Sequence, residues 1–76
     1  MNMADAADHV LRRSGRDLSS REIADQAVAD DLITPRSDKP WIYVAAAIRK
    51  DNRRRTDRGE DVRFVSTGPG RYRIKV

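Results

Sequence analysis

The stretch VRFVSTGPGRYRIKV, Val62–Val76, decides the fold of this chain. Tyr72, Ile74 and Val76 alternate with Arg71, Arg73 and Lys75. A period of two predicts a half-buried strand with one apolar and one cationic face. Val62, Phe64 and Val65 supply the apolar residues of a partner strand, and Gly68-Pro69-Gly70 supplies the turn between them. The C-terminal segment therefore reads as an antiparallel hairpin.

Upstream of the hairpin the period changes to that of a helix. Asn52 to Asp61 contains no apolar residue and reads as a loop or a frayed helix end. Before it lies PWIYVAAAIRKDNRRR, Pro40–Arg55, with Pro40 suited to a first helical position. Advancing about 100° per residue, Trp41, Val44, Ala45 and Ile48 share one face. Tyr43, Ala46, Lys50, Arg53 and Arg54 fall on the other side. A second helix starts at Ser19-Ser20-Arg21-Glu22, where Ser19 and Glu22 have the capping-box spacing and Leu18 and Ile23 that of a hydrophobic staple. Its inner stripe is Ile23, Ala24, Ala27 and Val28; Asp30-Asp31 end it, and Leu32-Ile33 turn back to the core. A first helix runs from Met3 to Ser14, buries Met3, Ala7, Val10 and Leu11, and stops at Gly15. Three helices followed by a hairpin is the plan of a small α+β winged helix-turn-helix, in which Leu18 can add a short third strand. The third helix is then the one that enters a DNA groove and the hairpin is the wing.

Charge supports a polyanionic partner. The net charge is +4, but residues 1–38 hold five basic and eight acidic side chains, net −3, while residues 39–76 hold eleven and four, net +7. Six of the ten residues Arg49 to Arg58 are Lys or Arg. Such asymmetry points to nucleic acid. At 76 residues the chain is one domain, 1–76, of the kind that can be cut from a longer protein. It has no Cys, so neither a disulfide framework nor a Cys-based zinc site is available. No metal or cofactor is expected, because the single histidine, His9, lacks a paired ligand. No enzyme is expected either: nothing supplies a nucleophile, base and orienting group in one constellation. No apolar run approaches the about 18 residues of a membrane span, and the N-terminus does not read as a secretory signal. A cytoplasmic protein is expected, nucleoid-associated in a prokaryote and nuclear in a eukaryote.

The candidate nucleic-acid-binding residues form three groups, each with a plainer alternative. Arg49, Lys50, Arg53, Arg54 and Arg55 are placed to meet phosphates; the alternative is a solvated helix end whose cations suit the dipole. Lys39, Ile42, Tyr43 and Ala46 are placed to face base edges, with Ile42 or Ala46 against a thymine or methylcytosine methyl group. The alternative is that Ile42 and Tyr43 are half-buried packing residues. Arg71 and Arg73, with Arg63 across from them, are placed to reach the minor groove or backbone; the alternative is protection of a strand edge by charge. Trp41 reads as core, and Asp51 as a partner for neighbouring arginines.

The sequence also resembles the HARE-type helix-turn-helix family. The similarity runs through Ala6-Ala7-Asp8-His9-Val10-Leu11, then Leu18 to Ala24 (LSSREIA), then Pro40, Val44, Ile48 and Asp51, and last Phe64 to Ile74 (FVSTGPGRYRI). Two features depart from the family pattern: Lys39 stands where Thr is frequent, and Arg53-Arg54-Arg55 is more basic. The resemblance implies a DNA-associated winged helix without catalytic activity. Such domains occur fused to restriction endonucleases, in chromatin regulators and in the delta subunit of bacterial RNA polymerase. It implies a module that directs a DNA-acting or transcription-related effector to double-stranded DNA, with a suggested sensitivity to modified bases, and a protein effector or fused nuclease domain as further partners. The competing expectation is a winged helix that docks on a polymerase, nuclease or chromatin-like protein through Asp25, Asp30 and Asp31 or through Ile42 and Tyr43.

Overall fold

Helix α1 covers Met3–Ser14 in the computed structural model, which describes residues 1–75. The Asn2 side chain accepts the Asp5 N–H at 2.7 Å and caps its start. Gly15, at φ 67°, ends it and donates to the Leu11 carbonyl. Strand β1 is Leu18–Ser19. Helix α2, Ser20–Ala29, follows at once, and the capping box at its start is complete. The Glu22 N–H donates to Ser19 Oγ at 3.1 Å, and the Ser19 N–H donates to Glu22 Oε1 at 3.0 Å. Two of the donors left free at a helix start are satisfied reciprocally.

Helix α2 ends in a left-handed turn without glycine. Asp31 takes φ 59°. Its N–H reaches the Val28 carbonyl and the Leu32 N–H reaches that of Ala27, the paired bonds of a Schellman motif. Leu32 and Ile33 then pack against the core, as their position after the helix predicts.

Helix α3 runs Pro40–Asp57, longer than the sequence reading. Asn52 to Asp57, read as loop or frayed end, are helical. Asp51 accounts for this: it accepts from Arg55 at 3.1 Å and from Arg54 at 3.4 Å, cations three and four residues on. A second Schellman motif closes the helix, with Gly59 at φ 71°, its N–H on the Thr56 carbonyl and the Glu60 N–H on that of Arg55.

Strands β2, Phe64–Gly68, and β3, Arg71–Ile74, form the hairpin, and β1 joins β3 on its other edge, giving an antiparallel sheet of order β1-β3-β2. Leu18 faces Tyr72, and Phe64 faces Ile74. The register shifts between Ser66 and Gly68, so Thr67 is an extra residue near the turn. Val76, expected as the third apolar position of the strand, lies outside the described residues. Val10, Leu11, Leu18, Ile23, Val44, Ile48 and Phe64 are fully buried, and Tyr72 joins them. Each element thus contributes apolar side chains to one core, though Val28 and Ala45, expected on inner faces, are only half-buried. Trp41 is half-buried against that core. The Arg21 guanidinium lies 4.8 Å from its ring centroid, a cation–π contact between α2 and α3. Among the described residues, no helix is long and apolar enough to cross a membrane.

Candidate nucleic-acid interface

Helix α3 turns Val44, Ile48 and Asp51 inward. The opposite face is fixed by that choice. Ile42, Arg49 and Arg53 lie there exposed, with half-buried Ala46 between them. Tyr43, Lys50 and Arg54 run along its flank, also exposed. Ile42 and Tyr43 are 52% and 55% exposed, so neither is a packing residue. Lys39 is exposed at the N-cap, where its side chain makes no capping bond. The face begins apolar and becomes cationic toward the C-terminal end of the helix.

The cations divide by what they touch. Among the described residues, Lys39, Arg49, Lys50 and Arg53 have no carboxylate within salt-bridge distance. Arg54 and Arg55 lean back on Asp51, and Arg55 also approaches Glu60 at 4.0 Å. The expected block of five phosphate-facing cations is therefore split by one buried carboxylate.

Arg63 lies elsewhere than expected. It precedes β2, and its carbonyl accepts the Lys75 N–H, so it stands across from Lys75 and not from Arg71 or Arg73. Its guanidinium makes a two-point contact with Asp51, at 2.9 and 3.3 Å, and also donates to Asp5 and Asp8, each at 3.1 Å. Only 17% of its side chain is exposed. Three carboxylates from α1 and α3 surround it, so it belongs to the body of the domain and not to the wing surface. Its acidity falls accordingly: the Asp51 hydrogen bond, against some desolvation, raises its pKa. Burial pushes the Asp51 carboxyl up, but its bond to Arg63 and the charges of Arg63 and Arg55 outweigh this and hold it below the usual range.

On the wing, Arg71 is half-buried and donates to Asp17 at 3.2 Å, with Glu22 3.6 Å away. The Arg71 hydrogen bond, with one from Thr67, lowers the Asp17 pKa. Arg73 is exposed, and among the described residues its one partner is the neighbouring Ile74 carbonyl at 3.3 Å. Of the two wing arginines, Arg73 is the one without a carboxylate partner among the described residues. Sequence reasoning missed the Arg63 cluster because its partners Asp5 and Asp8 lie 58 and 55 residues away. Their spacing on one face of α1 is visible in the sequence, but their destination is not.

A cationic helix face beside a small sheet, with an inward seam holding that helix on two others, is the geometry of a helix-turn-helix. The whole chain, residues 1–76, matches the HARE-HTH family model, a helix-turn-helix domain whose description names ASXL and restriction endonucleases. No curated protein and no solved structure matches the chain.

Proposed function

The chain belongs to the HARE-HTH family, a helix-turn-helix family with the build of a DNA-binding domain, and from that premise we propose that it is a winged-helix module that docks α3 in the major groove of double-stranded DNA. Support comes above all from Arg49, Lys50 and Arg53, exposed on one face of α3 without a carboxylate partner among the described residues. Cations already neutralised within the protein release few counterions on binding; free ones release most. Ile42, Tyr43 and Ala46 stand at the leading end of the same face, where a recognition helix meets base edges. Ile42 and Ala46 suit the methyl group of thymine or of a methylated cytosine, and the Tyr43 phenol suits stacking or a hydrogen bond to phosphate. The module would direct a DNA-acting or transcription-related effector to its site.

The test is a titration against a plain duplex and its cytosine-methylated counterpart across a range of salt. Wild-type affinity is expected to fall steeply as salt rises. The variant Arg49→Ala/Lys50→Ala/Arg53→Ala should flatten the slope of log K against log salt by about 2.7, at about 0.9 per phosphate contact. An unchanged slope in this variant removes the assignment. Tighter binding to the methylated duplex supports base sensing, and equal binding discards it.

One observation favours a second reading. Tyr43 and Met1 are exposed and line an open groove with Met3, Leu32, Ile33 and Pro40. A groove of mixed lining, with Thr34 and Arg36 beside these apolar residues, suits a protein partner. Absence of duplex binding at low salt would move the function to that surface.

A further inference from the structure

Between the end of α1 and strand β3 of the wing, Leu11, Arg12, Gly15, Arg16, Asp17, Arg73 and Ile74 line a cavity of about 370 Å³. Its chemistry is uneven. Leu11 and Ile74 supply an apolar lining, and arginines hold three of the remaining positions. Arg12 is already paired with Asp8. Asp17 is committed to Arg71 and Thr67. Arg16 and Arg73 are exposed, and among the described residues neither has a carboxylate within 4.0 Å, although Arg16 lies near enough to Glu22 to help hold its pKa down.

The backbone that presents Arg16 is held on both sides. Ser14 Oγ accepts the Arg16 N–H at 3.4 Å and lies 3.1 Å from the Arg16 carbonyl, to which it donates. Gly15, at φ 67°, makes the turn. On the other side, Asp17 is tied to the hairpin through Thr67 at 3.0 Å and Arg71 at 3.2 Å. Arg73 projects from β3, whose register with β1 and β2 is fixed. Two guanidinium groups are therefore offered to one cavity by a tied turn and a paired strand. Little backbone order remains to be gained on binding.

We propose that Arg16 and Arg73 form a second phosphate-binding notch, which holds a backbone phosphate of DNA away from α3. This rests on the DNA-binding reading above. Planar guanidinium groups match the oxygens of a phosphodiester and bind it in pairs. The apolar lining lowers the local dielectric and strengthens the contact. The C-terminal end of α1 works against an anion here. Its Leu11 carbonyl, however, already accepts from the Gly15 N–H. Two full positive charges outweigh that residual partial one, and the Asp17 carboxylate on the same lining is already neutralised by Arg71. Arg73 alone is what an alternating strand would offer; Arg16 makes the pair.

The experiment compares the salt dependence of duplex binding for wild type, Arg16→Ala/Arg73→Ala and Arg13→Ala/Lys75→Ala. The last pair removes the same charge, but Arg13 and Lys75 are engaged with Asp30 and Asp61 and lie outside the cavity. Melting curves establish that each variant is folded. The notch predicts a slope flattened by about 1.8 for the first double variant, two contacts at about 0.9 each, and a nearly unchanged slope for the control. Equal slopes for the two double variants overturn the notch, and so does a wild-type slope in Arg16→Ala/Arg73→Ala. If wild type shows no salt-sensitive duplex binding, the DNA-binding reading fails first and the notch fails with it. If only the α3 triple variant loses slope, that reading stands and the notch alone is removed.

Discussion

Asp51 is the residue on which the basic end of α3 turns. It is 3% exposed and receives hydrogen bonds from Arg54, Arg55 and Arg63. Breaking a buried ion pair leaves the other charge without compensation. Asp51→Asn should therefore destabilise the domain by about 3 kcal/mol, the low end for such a break, because Asp5 and Asp8 still hold Arg63. Urea unfolding with an unchanged m-value would measure it, and a loss below about 1 kcal/mol would mean the cluster is no better than a surface pair. Asp31 offers the opposite test. Its left-handed backbone strains any side chain, though Asp tolerates it better than most. Asp31→Gly should stabilise by about 0.5–1 kcal/mol, visible as a raised melting temperature.

At the scale of elements, α3 is two helices in function. Its first half offers Ile42, Tyr43 and Ala46 to the outside; its second carries cations of two kinds. Arg54→Ala/Arg55→Ala should mainly weaken the C-terminal turns, which hydrogen exchange would report as faster exchange after Asp51. The slope of log K against log salt should change far less than in Arg49→Ala/Lys50→Ala/Arg53→Ala. If the two variants lose equal slope, Asp51 does not sequester its partners. Helix α2 rests on its start. Ser19 both caps α2 and pairs with Arg71 in the sheet. Ser19→Ala should cost about 1 kcal/mol, as other caps do, and a denaturation midpoint equal to wild type would show the capping box to be dispensable.

For the whole molecule, carboxylates couple stability to acid. Glu22, held by the Ser19 backbone and hydroxyl, has a lowered pKa, as do Asp17 and Asp51. A lowered folded pKa means that the folded state binds fewer protons than the unfolded one between the two values. The stability these groups add is complete above their unfolded values of about 4 and is lost as pH falls through the folded values below that. The melting temperature should be nearly flat from about pH 5 to 8 and decline below about pH 4, with a shallower decline in Asp51→Asn. A decline already under way near pH 6 would require a different titrating group. Much of this architecture is legible in the sequence. The period of two from Arg71 onward, the capping box at Ser19 and the seam Val44–Ile48 are local signals, and local physics sets them. The lack of apolar residues from Asn52 to Asp61 hid the last turns of α3. Helical period can be read only where one face is apolar, and there Asp51 replaces an apolar contact with a buried ion cluster. Which cations are free is another matter. Asp51, three and four residues before Arg54 and Arg55, marks their pairing in the sequence, but Arg73 looks like Arg71. Sequence alone determined three helices, a wing and a positive second half. Only the tertiary structure decided which charges remain for a ligand, because a salt bridge needs two side chains within about 4 Å, and the partners of Arg63 and Arg71 come from distant parts of the chain.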